Sequence, residues 1–357
     1  MTEKRGRISW IDVAKGIGIV LVSFGHLPNG DGQSVWLPAL AMPIWVIYLF
    51  HMPFFYFLGG FTLNSNKPFG QFLRRRVLTL LVPYYIFSLY FLAKPVAMLL
   101  KGSLATTFRS AHDYDLGRQL VDVFIMGNGL WFLWAFFIGE VITYALSRLI
   151  YRKPLLALTG IAFILIYGLY TTFIPTIPIP LQIPRGLQAA GYMLLALSLR
   201  SWVKELTMSR MAPITLGCLM VFACVVIVLS NANGNGTASL LLQVIAATAG
   251  TFACTGLAMA INSNTILEYI GRGSLVFYAL NALTLNVAKL FFFRVLRIKA
   301  WDVSWPLQTV IGLAVVAFSL VLLALENEIV HKWLWWAIGA QRPVRVVRQT
   351  PATEDQG

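Results

Sequence analysis

The sequence predicts an all-α, polytopic integral membrane helical bundle, and three observations support this prediction. Hydrophobic residues make up 58% of the 357-residue chain, whereas charged residues make up only 12%. Apolar stretches of about 20 residues, each long enough to cross the hydrocarbon core of a bilayer, recur along the chain. The stretches are continuously apolar rather than alternating, which excludes a transmembrane β-barrel. The low share of charged residues excludes an ordinary soluble domain.

The distribution of basic residues predicts the orientation of the bundle. The formal net charge is +14, and the lysines and arginines cluster in short loops between apolar spans. This is the positive-inside pattern of membrane proteins, so the charge does not indicate nucleic acid as a partner. We predict about ten transmembrane helices with both termini in the cytoplasm. One loop is an exception, because this topology places Arg294, Arg297 and Lys299 outside.

The order of the predicted spans defines the domain organisation. They lie at about residues 10–27, 43–63, 77–100, 129–149, 155–174, 186–202, 212–230, 238–261, 274–293 and 305–325. Residues 101–128 are predicted to be an extracytoplasmic loop with a short surface helix, and the segment between spans eight and nine is predicted to be a cytoplasmic loop. We interpret residues 1–330 as one transmembrane domain and residues 331–357 as a basic, disordered cytoplasmic tail.

The first span, WIDVAKGIGIVLVSFGHL, contains three ionisable residues, Asp12, Lys15 and His26. In a helix Asp12 and Lys15 lie one turn apart, where side chains meet. Lys15 and His26 are eleven residues apart, so they share one face at a separation of roughly 16 Å. Ionisable groups within a span are costly and therefore indicate a functional site. The alternative is that Asp12 and Lys15 anchor the helix at the interface while His26 caps its far end.

His51 and Glu140 are ionisable residues in the second and fourth spans. A histidine can act as a general base near neutral pH, and a buried carboxylate can orient it or shuttle a proton. Both residues also have a structural interpretation. His51 precedes Met52 and Pro53, so its ring can bond a carbonyl that the proline frees. Glu140 can hold helices together through an internal ion pair or hydrogen bond.

The densest basic run, Arg74, Arg75 and Arg76, precedes the third span. Guanidinium groups stay charged and offer paired hydrogen bonds to phosphate, so a phosphate-rich cytoplasmic ligand is predicted to bind here. Setting the orientation of the span is the simpler explanation. The sequence has no glycine-rich phosphate loop, zinc-ligand spacing or nucleophile elbow, and we predict no metal.

Five segments carry a resemblance that covers nearly the whole chain in order: WIDVAKGIGIVLVSFGHL, FHMPFFYFLGGF, FLRRRVLTLLVPYY, LWFLWAFFIGE and LEYIGRGSLVFYALNAL. Together they resemble membrane-bound acyltransferase family 3. In that family a basic residue and a histidine with ten residues between them mark the active site, and here these are Lys15 and His26. The other matching positions are Phe54, Phe55, Gly59, Gly60, Arg74, Arg75, Arg76, Pro83, Tyr84, Trp131, Phe132 and Glu140.

Two positions depart from the family pattern. Gly59 stands where serine is commoner in the family. Asn281 stands where many members have a histidine, so we assign it no acid–base role.

The resemblance implies an enzyme that transfers an acyl group, expected to be acetyl, from cytoplasmic acetyl-CoA or another acyl-CoA. The implied acceptor is a hydroxyl of an extracytoplasmic glycan or lipid-linked sugar, as in O-acetylation of a surface polysaccharide or exopolysaccharide. We expect His26 to be the general base, supported by Asp12, His51 or Glu140. We expect Lys15 and the arginine run 74–76 to bind the CoA phosphates.

The expected location is the bacterial inner membrane, and a second copy of the chain or polysaccharide-synthesis proteins are the expected protein partners. Two other function classes remain open. One is a proton-coupled transporter or flippase that moves a lipid-linked sugar or a small metabolite and uses intramembrane His and Glu as a proton relay. The other is a scaffold for polysaccharide synthesis.

Overall fold

The computed structural model of the protein describes residues 8–28, 36–93, 115–231 and 236–340. These residues form a helical bundle, and no strand occurs among them. Seven helical segments are long and apolar enough to cross a membrane: Pro38–Thr62, Leu116–Leu149, Lys153–Phe173, Met208–Asn231, Thr237–Ile261, Ser274–Val295 and Trp305–Trp333. The basic N-terminal residues, most of the predicted loop 101–128 and most of the predicted tail lie outside the described ranges.

The described residues contain fourteen α-helices, numbered here in chain order: α1 Ser9–Gly25, α2 Ala41–Tyr48, α3 His51–Thr62, α4 Phe69–Arg76, α5 Val82–Ser88, α6 Leu116–Val121, α7 Trp131–Leu149, α8 Lys153–Phe173, α9 Ile183–Glu205, α10 Met208–Asn231, α11 Thr237–Ile261, α12 Thr265–Arg272, α13 Ser274–Leu290 and α14 Trp305–Trp333. Short 3₁₀ or π turns extend several of them: Pro38–Leu40, Val77–Leu81, Leu89–Leu92, Asp122–Met126, Pro180–Gln182, Phe291–Val295 and Trp335–Ile338.

Local sequence signals explain where several helices begin. Proline occupies the first turn of α8, α9 and α14, at Pro154, Pro184 and Pro306, where a missing N–H costs nothing. Asn264 caps α12, because its side-chain oxygen accepts a hydrogen bond from the backbone N–H of Leu267 at 3.0 Å. The segment of α12 was predicted to be a cytoplasmic connection between two spans, and the structure shows that this connection contains a two-turn helix stabilised by the cap.

Two predicted spans differ from the structure in their continuity. The second predicted span is two helices, since α2 ends at Tyr48 and α3 begins at His51. Pro53 has no N–H to donate into the preceding turn, which favours a break at this point. The third predicted span is preceded by α4, which continues without a gap as far as Leu92. The last helix reaches Trp333, beyond the predicted boundary at residue 330.

The centre of the bundle is formed by α1, α3 and α9, whose side chains are mostly buried. Helix α9 packs on α3, α7 and α8, while α1 packs on α12 and α11. The contact between α1 and α12 brings backbones together: a Cβ added at Gly271 would lie 1.9 Å from the carbonyl oxygen of Asp12. A Cβ added at Gly16 would lie 2.2 Å from the carbonyl oxygen of Leu267. Small residues allow this close packing between helices.

The bundle has two distinct ends. At one, which we call the α12 end, α12 contacts both the start of α1, through Asp12 and Arg272, and the last turns of α14, through Tyr269 and Glu328. At the other, the histidine end, α1 is followed by His26, and Lys289 near the end of α13 donates a hydrogen bond to the carbonyl of Pro28 at 3.4 Å. Helices α1 and α13 therefore run in the same direction between the two ends.

Candidate active site

A large cavity, which we call the vestibule, lies at the α12 end and has a volume of about 840 Å³. It is bordered by the start of α1, the chain after α3, the start of α8 and the end of α9. Three cationic side chains line it, Lys15, Lys153 and Arg200, against one carboxylate, Asp12. The excess of positive charge favours an anionic ligand.

The vestibule cations are held by the surrounding structure. Nζ of Lys153 donates a hydrogen bond to Oγ of Ser201 at 2.7 Å. The guanidinium of Arg200 donates to the carbonyl oxygen of Leu63 at 3.3 Å. Both cations are thereby fixed at the wall, where neither is neutralised by these uncharged partners.

A second cavity, the chamber, continues from the vestibule into the bundle between α1, α3, α7 and α13. Its volume is about 180 Å³. Lys15 and Thr62 line both cavities, so the two meet at these side chains. Most of the chamber wall is apolar or aromatic: Ile19, Met52, Phe55, Leu58, Leu80, Phe132, Leu133, Phe136, Leu275 and Tyr278. A narrow apolar channel behind a cationic mouth suits a ligand with a charged head and a long uncharged arm.

Arg76 and Glu140 form an ion pair in the chamber wall. Nε of Arg76 lies 2.7 Å from Oε2 of Glu140, whose side chain is 1% exposed against 22% for Arg76. Among the described residues Oε2 has no partner with hydrogen-bond alignment, so the contact is ionic rather than a directed hydrogen bond. Lys15 is within electrostatic range of the same carboxylate. The ion pair fits the structural interpretation of Glu140, in which the carboxylate holds helices together. Because both side chains line the chamber, a ligand in the chamber would also contact the pair.

Asp12 belongs to the interface between α1 and α12. Its Oδ2 lies 3.7 Å from Nε of Arg272, which also pairs with Glu268 one turn earlier in α12. The hydrogen bond that Ser263 donates to Glu268 at 2.6 Å, together with Arg272, lowers the pKa of the Glu268 carboxyl. These contacts hold α12 against the start of α1, where Asp12 lines the vestibule.

His26 and His51 lie together at the histidine end, both close to Tyr48. The Tyr48 ring is 6.5 Å from the His26 ring and 5.1 Å from the His51 ring, measured between centroids. The Tyr48 hydroxyl donates a hydrogen bond to the carbonyl oxygen of Gly25 at 2.6 Å. This bond fixes the tyrosine close to both histidines.

Both imidazoles are oriented by the same kind of bond. Nδ1 of His26 lies 2.8 Å from the carbonyl oxygen of Val22, and Nδ1 of His51 lies 2.9 Å from that of Ile47. Because a carbonyl only accepts, Nδ1 carries the proton, which leaves Nε2 of a neutral ring as the basic nitrogen. His331 makes the same bond to Asn327. The bond therefore orients a base but does not identify one, and the surroundings of His26 must do so.

Two further polar groups surround the end of α1. Lys289 is 4% exposed and lies within electrostatic range of His26. Asn281, which replaces the family histidine, donates a hydrogen bond to Oγ of Ser23 at 2.5 Å. Its side-chain oxygen is buried and has no partner among the described residues. A buried cation and an unsatisfied amide beside a histidine are typical of functional sites.

The predicted site residues thus fall into separate groups. Lys15, Arg76 and Glu140 come together around the chamber, with Asp12 close by in the vestibule wall. His26 and His51 come together at the other end of α1. Asp12 lies about 21 Å from His26 along the helix, and Glu140 lines the chamber while His26 does not, so the structure places only His51 of the three expected supports beside His26. Arg74 and Arg75 are exposed and line neither cavity.

Sequence reasoning missed four residues of this arrangement. Lys153 and Arg200 were interpreted only as positive-inside charges, yet both face the vestibule. Lys289 lies inside a predicted span, so the rule that flagged His51 and Glu140 would have found it. Tyr48 gave no signal, because a tyrosine near a span end is usual in any membrane protein.

Comparison with known proteins gives the class to which this arrangement belongs. A family model described as an acyltransferase domain matches residues 8–325, and the described residues include seven segments able to span a membrane. The chain belongs to the acyltransferase 3 family, and its span-length helices make it a multi-pass membrane protein. Membership in this family favours an acyltransferase over the transporter, flippase or scaffold that the sequence left open.

One relative is similar over a shorter stretch. Nodulation protein NolL of Mesorhizobium japonicum is 29% identical over 144 residues, which are 38% of this chain and 35% of the relative. The match thus spans 35% of the length of that relative. No solved structure matches the chain.

Proposed function

We propose that the enzyme transfers an acetyl group from cytoplasmic acetyl-CoA to a hydroxyl of an extracytoplasmic or lipid-linked sugar of a bacterial surface polysaccharide. One observation carries the proposal: the cationic vestibule lies at the opposite end of α1 and α3 from the paired histidines, and the chamber extends from it as far as Met52, which follows His51. A donor and an acceptor can then enter from opposite sides of the membrane. The acceptor class rests on the family resemblance.

The vestibule suits the anionic half of acyl-CoA. Lys15, Lys153 and Arg200 would pair with its phosphates, because charge-assisted hydrogen bonds to phosphate are stronger than neutral ones. Arg76 would meet the part of the donor that enters the chamber. The pantetheine arm would follow the apolar wall toward Met52 and Phe55. Met52 directly follows His51 in the chain, and its flexible side chain can move aside for the arm.

The histidine end supplies the chemistry of the transfer. Nε2 of His26 takes the proton of the acceptor hydroxyl while the hydroxyl oxygen attacks the thioester carbonyl carbon. The carbon–sulfur bond then breaks, CoA leaves as a thiolate, and the histidine returns the proton to that sulfur. The negative charge that develops on the carbonyl oxygen would be stabilised by Lys289, the buried cation nearest to His26 among those described. No metal is required for these steps.

The sidedness follows from the helix directions together with the charge pattern. The first described residues of α1 and the last turns of α14 pack on the same helix, α12, which favours an even number of crossings. Ten crossings result when α1, the run Phe69–Leu92 and α9 are added to the seven long apolar segments. From the positive-inside bias we expect the α12 end and both termini to be cytoplasmic. Location in the inner membrane and association with a second copy or with polysaccharide-synthesis proteins remain predictions.

Isotope transfer tests the proposal. The purified chain in lipid nanodiscs is given radiolabelled acetyl-CoA and a mixture of simple sugars, and the sugars are analysed for label. We expect labelled sugar esters from the wild type and from His331→Ala, and none from His26→Ala. Mass spectrometry of surface glycans from cells with and without the protein then identifies the natural acceptor. A wild type that neither releases acetate from acetyl-CoA nor transfers label to a sugar would contradict the proposal.

A further inference from the structure

A third cavity, which we call the outer cavity, lies at the histidine end between α2, α8, α9 and α11. Its volume is about 170 Å³. Part of its lining comes from the second half of α8 and the first half of α9. The opposite ends of these two helices carry Lys153 and Arg200 in the vestibule. The outer cavity and the vestibule are therefore separated by much of the length of the bundle.

The lining of the outer cavity is polar but uncharged. No charged side chain lines it within the described part of the chain. Its polar groups are three tyrosines, two threonines and two glutamines: Tyr48, Tyr167, Tyr192, Thr171, Thr172, Gln188 and Gln243. The described residues offer no hydrogen-bond partner to the side chains of Tyr167, Thr172 or Gln188, so these groups are available to a ligand.

This chemistry selects among the ligands that could reach a membrane cavity. A lipid tail would leave the hydroxyls and the amide unsatisfied, which is costly away from water. An anionic ligand would find no cation in the described lining. A sugar ring satisfies both conditions, because its hydroxyls can pair with amide and hydroxyl side chains. Its apolar C–H face can pack on an aromatic ring.

Tyr48 connects the outer cavity to the two histidines. The same side chain lines the cavity, is 47% exposed and contacts the rings of His26 and His51. A ligand that lies against Tyr48 in the cavity is therefore separated from the proposed base, His26, by this one side chain.

We propose that the outer cavity binds a single uncharged sugar ring of the acceptor and presents its hydroxyl to His26 beside Tyr48. This inference rests on the proposed function and adds to it the place and the charge of the acceptor site. It predicts that the enzyme prefers a neutral sugar over an acidic one. Both a free glycan and a lipid-linked sugar offer such a ring.

The acceptor KM tests the inference. The purified full chain in nanodiscs is given acetyl-CoA with methyl β-glucopyranoside as the neutral probe and glucuronic acid as the charged probe. In Gln188→Leu combined with Tyr167→Phe we expect the KM for methyl β-glucopyranoside to rise about tenfold or more, because two hydrogen bonds are lost. The KM for acetyl-CoA stays at its wild-type value. Gln119→Leu in α6, which lines none of the three cavities, is the matched control.

A second variant keeps the test decisive if the first one folds poorly. Thr172→Phe fills the cavity instead of removing hydrogen bonds and should raise the same acceptor KM.

Octyl β-glucopyranoside, used below its critical micelle concentration, distinguishes the two sources of the sugar. A much lower KM than for the methyl glycoside favours a lipid-linked acceptor, and an equal KM favours a free glycan. Either result supports a sugar ring in the cavity.

Three results would overturn the inference while leaving the proposed function intact. The first is an unchanged acceptor KM in both variants, and the second is better use of glucuronic acid than of the neutral sugar. The third is a wild type that hydrolyses acetyl-CoA but acetylates neither glucoside. A wild type that neither hydrolyses acetyl-CoA nor transfers its acetyl group to any sugar would instead refute the proposed function itself.

Discussion

The two ends of α1 differ in the kind of polar group that they place inside the bundle. At the α12 end the groups are charged and mostly paired, as in Asp12 with Arg272 and Arg76 with Glu140. At the histidine end they are neutral or singly charged, and no ion pair occurs there among the described residues: Asn281 keeps an unsatisfied oxygen and Lys289 bonds a carbonyl at 3.4 Å. Charged pairs can hold a structure, and the vestibule cations Lys153 and Arg200, which bond uncharged partners, can attract an anion. Unsatisfied groups beside an oriented histidine are suited to a reaction.

The comparison makes the loss of His26 the largest expected effect. General-base catalysis contributes about 10²–10⁴-fold to a rate, so His26→Ala should lower kcat for acetyl transfer by that factor while the affinity for acetyl-CoA is retained. His26→Gln keeps a hydrogen-bonding side chain without a basic nitrogen and should be as inactive. His331→Ala, which removes the same kind of carbonyl bond from α14, is the matched control. Substantial transfer by His26→Gln would leave the role of base to His51.

Breaking the chamber ion pair should mainly reduce stability. Arg76→Ala leaves the buried carboxylate of Glu140 without its nearest cation, a change that typically costs about 3–5 kcal/mol. The double variant Arg76→Met with Glu140→Met removes both charges and should recover much of this loss. Thermal unfolding in detergent measures both variants. If the double variant is no more stable than Arg76→Ala, the two residues are not coupled.

The vestibule cations should affect donor binding and leave the chemistry unchanged. Loss of one charge-assisted contact costs about 1.5–3 kcal/mol, so Arg200→Ala should raise the KM for acetyl-CoA about ten- to a hundredfold at an unchanged kcat. Arg200→Lys should retain part of the affinity. Arg75→Ala, at an exposed position outside both cavities, should match the wild type. A larger rise in the KM for acetyl-CoA in Arg75→Ala than in Arg200→Ala would indicate instead that the arginine run 74–76 binds the CoA phosphates, as the sequence predicted.

The smallest expected effect concerns the packing of α12 on α1. A Cβ at Gly271 meets the backbone of Asp12 at 1.9 Å, and such overpacking costs about 1–3 kcal/mol. Gly271→Ala should therefore lower the melting temperature. Gly70→Ala in α4, whose added Cβ meets nothing within 4 Å, is the control and should be neutral or slightly stabilising. Equal melting temperatures for the two variants would contradict the close backbone contact.

The sequence predicted the helical class and most span positions because long apolar runs determine both. It could not predict the break between α2 and α3 or the helix α12, since these depend on Pro53 and on the single cap at Asn264. The pairing of Arg76 with Glu140 joins residues 64 positions apart, and one sequence contains no signal for such a contact. The arrangement of α1 was accessible, because the spacing of Lys15 and His26 follows from helix geometry alone. Lys153 and Arg200 were not identified, because a charge that faces a cavity looks the same in sequence as one that faces water.

We infer that donor and acceptor reach the site from opposite ends of the bundle. Inverted membrane vesicles that contain the protein provide the test, with labelled acetyl-CoA added outside, where the α12 end is expected to face, and methyl β-glucopyranoside enclosed inside. We expect labelled sugar in the lumen and none when the two substrates are exchanged between the compartments. Transfer only when acetyl-CoA and the sugar share one compartment would refute entry from opposite ends.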